Sequence, residues 1–285
     1  MKKNRIAASA LALSVCLSLA ACSGGGETPA PASSAPAGTA PAGTPAAESD
    51  LAYVREKGVL VVGITEFEPM DYQDSDGNWI GFDADMARAF GESLGVDVEF
   101  QIIDWDNKIF ELDGRTIDVV WNGMTLTDEV LSAMECSNAY CNNAQVVVVP
   151  AGMADQYQDV ESLSGLTFAV ESGSAGAQQA QEYSFTYNEV VDQATALLEV
   201  SSGTSDAAII DSLMAGAMVG EGTSYDNLTS TVTLNAEEGE QYGVGFRKGS
   251  DLCPALNEFF ASSYADGTMM QIAETYGVQA TIIPQ

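Results

Sequence analysis

The chain has 285 residues, with 41 acidic against 10 basic side chains and no histidine. A net charge of −31 disfavours nucleic acid by repulsion from phosphate. The missing histidine excludes a Ser-His-Asp set and removes the commonest metal ligand and general base. An acidic balance is first of all a surface property, and it also suits drawing in cations.

The first predicted element is not part of a fold. MKKNR carries three positive charges, and IAASALALSVCLSLAA follows as sixteen uncharged residues. That run is too short to span a bilayer comfortably and fits the apolar region of a signal peptide over residues 1–21. It ends in LAAC, Leu19 to Cys22, which resembles the lipobox of bacterial lipoproteins. The resemblance implies cleavage before Cys22, acylation of that residue and an extracytoplasmic protein anchored to the outer face of the membrane. Residues 22–50 are nearly all Gly, Ala, Pro, Ser and Thr, with nothing large to bury, and read as a solvated tether. Once the signal is removed, 7 bases remain against 41 acids, a net of −34.

From Leu51 onward, 235 residues alternate strand and helix. GVLVVGI (58–64) is a strand, and DYQDSDGNWIGF (71–82) a hairpin turning at Asp76-Gly77. FDADMARAFGESLG is a helix with Phe82, Met86, Phe90 and Leu94 on one face and Gly95 closing it. VDVEFQII is a strand, DNKIFELD a helix with Ile109 and Leu112 inward, and IDVVWNG a strand that leads into a loop and a short helix. QVVVVP (145–150), LTFAVE (166–171), FTYNEVV (185–191), DAAII (206–210) and QYGVGFRKG (241–249) are further strands. Helices start near Ser174, at ATALLEV and at SLMAGAMVG, and two close the chain from Asp251, with Leu256, Phe259 and Phe260 inward. This alternation implies helix-covered, mainly parallel sheets. Ligands of such sheets sit beyond the strands' carboxyl ends, at 65–68, 121–127, 171–176 and 210–212. Three cysteines remain in the body; Cys136 and Cys141 are near enough in sequence to bridge, but with no CxxC pair, buried free thiols are expected for both and for Cys253. Neither a metal nor a cofactor is implied.

GVLVVGITEFEPMDY, GNWIGFDADMARAFGESLGVDVEF, IDVVWNGMTLTDE, SDAAIIDS and EQYGVGFRKGSDLCPALNEFF stand in an order that resembles the family-3 solute-binding proteins of ABC importers, over 51–278. The resemblance implies an α/β, two-lobed periplasmic-binding-protein-like fold of type II. Two hinge strands, near Asn143 to Val147 and Gly239 to Val244, would join a lobe of 51–144 plus 243–285 to a lobe of 145–242. It further implies a monomer that traps a small polar or cationic solute, an amino acid or amine, and hands it to ABC permease subunits.

Carried across residue by residue, the likeness places Phe67 and Trp105 as facing rings that clamp the ligand. It places Asn122, Met124 and Thr125 as loop contacts, and Ser174 and Ala175 at a helix start that seats a carboxylate. Asp211 would pair with a ligand ammonium. Thr127 reads better as the cap of the short helix. The arginine that grips the ligand carboxylate in this family would fall at Val130, which cannot donate. Only Lys108 among the body's bases lies near a pocket segment, whereas Glu66, Glu171 and Asp211 all fall at or beside one. A plain amino acid held by Ser174, Thr125 and Lys108 and a cationic solute without that carboxylate are both open, with charge favouring the second. If the cleft has merely lost its clamp, Val130→Arg improves binding of a plain amino acid. Rival readings are a dehydratase-like enzyme on the same fold and a ligand-sensing receptor module.

Overall fold

The computed structural model describes residues 49–235 and 239–285; the expected signal, Cys22 and nearly all of the tether lie outside the described residues. The body begins at α1 (Asp50–Lys57), capped by Ser49, whose hydroxyl accepts from the Ala52 N–H at 2.9 Å. Asp50 is buried and takes a 3.0 Å bond from Arg247, which also donates to the Leu112 and Ile117 carbonyls. Val54 is the one apolar side chain of this helix that is fully buried, so DLAYVREK shows no helical periodicity in the sequence, and the Asp50–Arg247 pair adds a second tie.

In chain order the strands are β1 (Val59–Ile64), β2 (Tyr72–Gln73), β3 (Trp79–Ile80), β4 (Asp97–Ile102), β5 (Val119–Thr125), β6 (Glu135–Cys136) and β7 (Cys141–Asn143). They continue as β8 (Gln145–Pro150), β9 (Thr167–Glu171), β10 (Thr186–Val190), β11 (Ala207–Asp211), β12 (Leu228–Thr233) and β13 (Glu240–Phe246). The helices after α1 are α2 (Phe82–Leu94), α3 (Lys108–Asp113), α4 (Asp128–Ala133), α5 (Ala175–Glu182), α6 (Gln193–Ser202), α7 (Ser212–Met218), α8 (Leu252–Asp266) and α9 (Thr268–Thr275).

Two sheets organise these elements. The first has the order β4-β1-β5-β13-β6, with β7 also on β13; the second has the order β10-β9-β11-β8-β12. The expected parallel pairing holds for β4, β1 and β5 and for β10, β9 and β11. The other half of each sheet is antiparallel, because β8 and β13 are fed from the opposite lobe and enter in the reverse sense. Strand β7 ends in the first sheet at Asn143 and β8 starts in the second at Gln145, so the outward crossing is abrupt. The return passes alongside it: the Gln145 N–H donates to Asn235 Oδ1, and the Leu234 N–H to the Gln145 carbonyl, both at 2.9 Å. Strands β6, β7 and β12 are absent from the sequence reading. Two- and three-residue strands, and one with only Leu228 and Val232 apolar among Thr and Ser, carry little apolar signal.

The helical face Phe82, Met86 and Phe90 is buried as expected, and Phe90 meets Phe259 at 5.5 Å. Phe260 packs edge-on against Trp121 at 5.6 Å, so α8 closes over the centre of β5. These apolar layers sit behind both sheets and leave the strands' carboxyl ends facing one another across a shared cleft. Cys141 and Cys253 are buried and Cys136 half-buried, all as free thiols.

Candidate functional site

The cleft is lined from the first sheet by Phe67, Trp105, Lys108, Asn122, Met124, Thr125 and Val130. From the second it is lined by Glu171, Ser174, Ala175, Gln193 and Asp211. Its space is about 500 Å³ with the mouth counted. The walls already touch. The Lys108 Nζ donates to the Gly173 carbonyl at 2.9 Å, and Gln178 reaches Glu129 at 3.5 Å. A solute the size of an amino acid enters only if the lobes part.

Nine of the ten sequence-predicted contacts line this cleft, and Glu66 does not. Its carboxylate instead accepts from the Gln73 backbone, toward the β2–β3 hairpin. Glu66 and Phe67 lie past the end of β1, where Phe67 forms an isolated bridge with Asp71. Asn122, Met124 and Thr125 are also not on a loop. Strand β5 runs through Thr125 because β13 pairs with it there, Tyr242 opposite Thr125 and Gly243 opposite Met124. Asn122 uses its amide to tie β1 to β5, accepting from the Thr65 N–H and hydroxyl and donating to the Thr65 carbonyl and Asp71. Gly123 has φ +53° and its added Cβ would stand 2.4 Å from the Phe67 ring. Only glycine lets that ring approach the strand so closely.

Asp211 ends β11 and is 5% exposed. Its Oδ1 accepts from Asn143, from Gln145 at 3.0 Å and from the Tyr242 hydroxyl at 2.9 Å, and its Oδ2 accepts from Gln193. Burial pushes its pKa up, and these four donors hold it partly down. All four are neutral. Sequence reasoning missed this shell and Glu240, whose Oε2 accepts from the same two amides, Gln145 at 2.8 Å and Asn143 at 3.2 Å. Asn143, Gln145 and Glu240 sit where the chain crosses between sheets, so polar residues at the expected hinges were the available signal. Gln193 had none, since glutamine is an ordinary helix former.

Glu171 ends β9, buried, with Oε1 lacking any hydrogen-bond partner among the described residues. Burial, then Asp211 and Asp192 nearby, push it up to about 8 from an ordinary 4.5. Burial and Asp211 likewise push Glu240 up to about 7. A carboxyl whose folded pKa is raised binds its proton more tightly folded than unfolded. Its stabilising effect is therefore full below about 4.5 and lost as pH climbs toward 8. Ligand-free protein is expected to melt lower at pH 8.5 than at pH 5. One pKa unit is about 1.4 kcal/mol, or about 3–5 °C for a body of this size. Glu171→Gln should flatten that slope in thermal melts, and an unchanged slope would sink the assignment.

Val130 is buried in an apolar cluster with Trp105, Met124 and Met134, and the Thr127 hydroxyl caps the helix that carries it. An arginine there would have to leave that cluster or desolvate its charge.

Fold and cleft together define a two-lobed protein that closes on a small molecule, of the type II periplasmic-binding class. Residues 60–279 match the bacterial extracellular solute-binding proteins, family 3, and the chain belongs to that family. It is 28% identical over 235 residues to the L-cystine-binding protein TcyJ of Escherichia coli (strain K12), covering 81% of this chain and 87% of that one. The arginine-binding extracellular protein ArtP of Bacillus subtilis (strain 168) is 27% identical over 226 residues, 77% of this chain and 86% of that one. A substrate-binding protein of an ABC uptake transporter from Streptococcus pneumoniae, solved with bound histidine, superposes with a TM-score of 0.74 at 28% identity. That superposition covers 80% of this chain and 96% of that one. A more distant relative, the cyclohexadienyl dehydratase of Pseudomonas aeruginosa, is 25% identical over 175 residues, 60% of this chain and 65% of that one.

Proposed function

We propose that the cleft captures a small amino acid or other amine-bearing solute, its ammonium paired with Asp211, and that the closed form is delivered to the membrane subunits of an ABC importer. The observation that carries this is the charge of the cleft. Asp211 is buried and clad only by neutral donors, and Glu171 beside it has an unpartnered oxygen. A buried carboxylate without a cation is costly, and a solute cation that answers it gains a charge-assisted bond. Phe67 and Trp105 supply flat apolar walls on the opposite side. The named ligands of the relatives, cystine, arginine and histidine, are the first solutes to try. Calorimetric titration with the twenty amino acids, polyamines and betaines tests the reading, and absence of heat with all of them sinks it.

The LAAC stretch supports lipidation at Cys22, which would hold the body on the outer face of the membrane as a monomer. Labelling with a radioactive fatty acid, lost in Cys22→Ala, tests the anchor. A second reading is favoured by one observation: Glu171, held up at about 8, is protonated near neutrality and faces the cleft, as a general acid would. Together with the dehydratase relative it supports elimination from a cyclohexadienyl substrate. Product formed by wild type and lost in Glu171→Gln would establish it, and no product from either would remove it.

A further inference from the structure

We infer that Lys108 is the carboxylate anchor of this cleft, so that the solute is an amino acid with its carboxylate intact rather than a bare amine. The inference rests on the amine-binding reading above and decides between its two open forms. Lys108 opens α3 and is 7% exposed, a burial seldom tolerated by an ammonium without partners. Its Nζ donates to the Trp105 carbonyl at 3.2 Å and the Gly173 carbonyl at 2.9 Å, and lies 4.9 Å from the centre of the Trp105 ring. An ammonium carries three donors. Two are taken by these carbonyls, and no third acceptor is present among the described residues, while the side chain lines the cleft.

The position matters as much as the spare donor. Gly173 is followed directly by Ser174, the cap of α5, whose hydroxyl accepts from the Ala177 N–H at 3.1 Å. The ammonium thus stands beside the first turn of α5, where free backbone N–H groups and the helix dipole favour an anion. One lobe brings the cation and the other the helix start, and a carboxylate between them would bridge the closed form. Burial lowers the Lys108 pKa from its ordinary 10.5, and Glu171, Glu129 and Asp106 around it act in the opposite sense. The apolar Val130 site therefore needs no arginine, because the charge comes from α3 instead of α4.

The test pairs each amino acid with the amine it becomes on losing its carboxylate: L-arginine with agmatine, L-histidine with histamine, L-cystine with cystamine. Affinities are measured by calorimetry for the wild type, Lys108→Met and Lys108→Arg, with melts to confirm folding. The expected result is that wild type prefers an amino acid over its amine by about 10- to 100-fold. Lys108→Met should lose that preference by weakening the amino acid more than the amine, and Lys108→Arg should recover part of it. The inference is overturned if Lys108→Met weakens amino acid and amine equally, which would make Lys108 a structural latch between lobes. It is also overturned if wild type binds the amine as tightly as the amino acid, or if Lys108→Met keeps the preference. Silence of wild type with every one of the twenty amino acids and with their amines would overturn this inference and the amine-binding reading together, whereas amine binding without a preference overturns this one alone.

Discussion

Asp211→Asn is expected to weaken binding of an amine-bearing solute about 100-fold while leaving a folded protein. Two losses add. The solute ammonium loses its counter-charge, and a charge-assisted bond is worth roughly 1.5–3 kcal/mol, where about 1.4 kcal/mol is tenfold. The new amide also points a donor at a shell composed of donors. Asn143, Gln145, Gln193 and Tyr242 all give hydrogens to the carboxylate, so one of them must face an N–H. Leaving such a group unmatched costs about 1–3 kcal/mol of stability. Calorimetry and a thermal melt read the two effects separately. A folded Asp211→Asn protein that binds within threefold of wild type would remove Asp211 from the site.

Gly173→Ala is expected to weaken every solute alike, by about tenfold or more, through closure rather than chemistry. Gly173 has φ +68°, and a Cβ there would lie 2.8 Å from the Asp106 Cα and from its Oδ1. The clash is with backbone across the cleft, so it is relieved only by holding the lobes apart. The left-handed φ adds a strain of roughly 1–2 kcal/mol for any L-residue. A solute shifts the population toward the closed form only by its differential affinity for that form, and a wedge subtracts directly from it. Small-angle scattering should show wild type contracting with saturating solute and the variant contracting less. Full contraction with unchanged affinity would show that the lobes do not need this contact. The two variants separate cause: the first depends on the solute's ammonium, the second does not.

Much of the site was legible because short-range chemistry marks it. Phe67 before Glu68-Pro69, Trp105 at a helix start and Asp211 after DAAII are unusual residues at strand ends, and all three line the cleft. Glu66, expected at or beside the pocket, is not among the residues that line the cleft, since adjacency in sequence does not specify which way a side chain faces. Asn122 was placed well but read narrowly, since its amide is spent on Thr65 and Asp71. Glu240 and Gln145 had only their place at the expected hinges to mark them, Gln193 had nothing, and no local feature links the three.

Hydrophobic periodicity and turn residues determined by themselves the alternation of the longer strands and helices and the apolar faces of α2 and α8, and composition determined the absence of histidine chemistry. These are local properties, set within a few residues by backbone preference and burial. Only the tertiary structure decided that β5 extends through Thr125, that α1 is held by Asp50 and Arg247, and that Asp211 sits inside a shell of neutral donors. It alone brought Lys108 from one lobe to Gly173 of the other. Such pairings join residues tens of positions apart, and the free energy of a hydrogen bond or a buried charge depends on the distance and surroundings that folding creates, which no stretch of sequence contains.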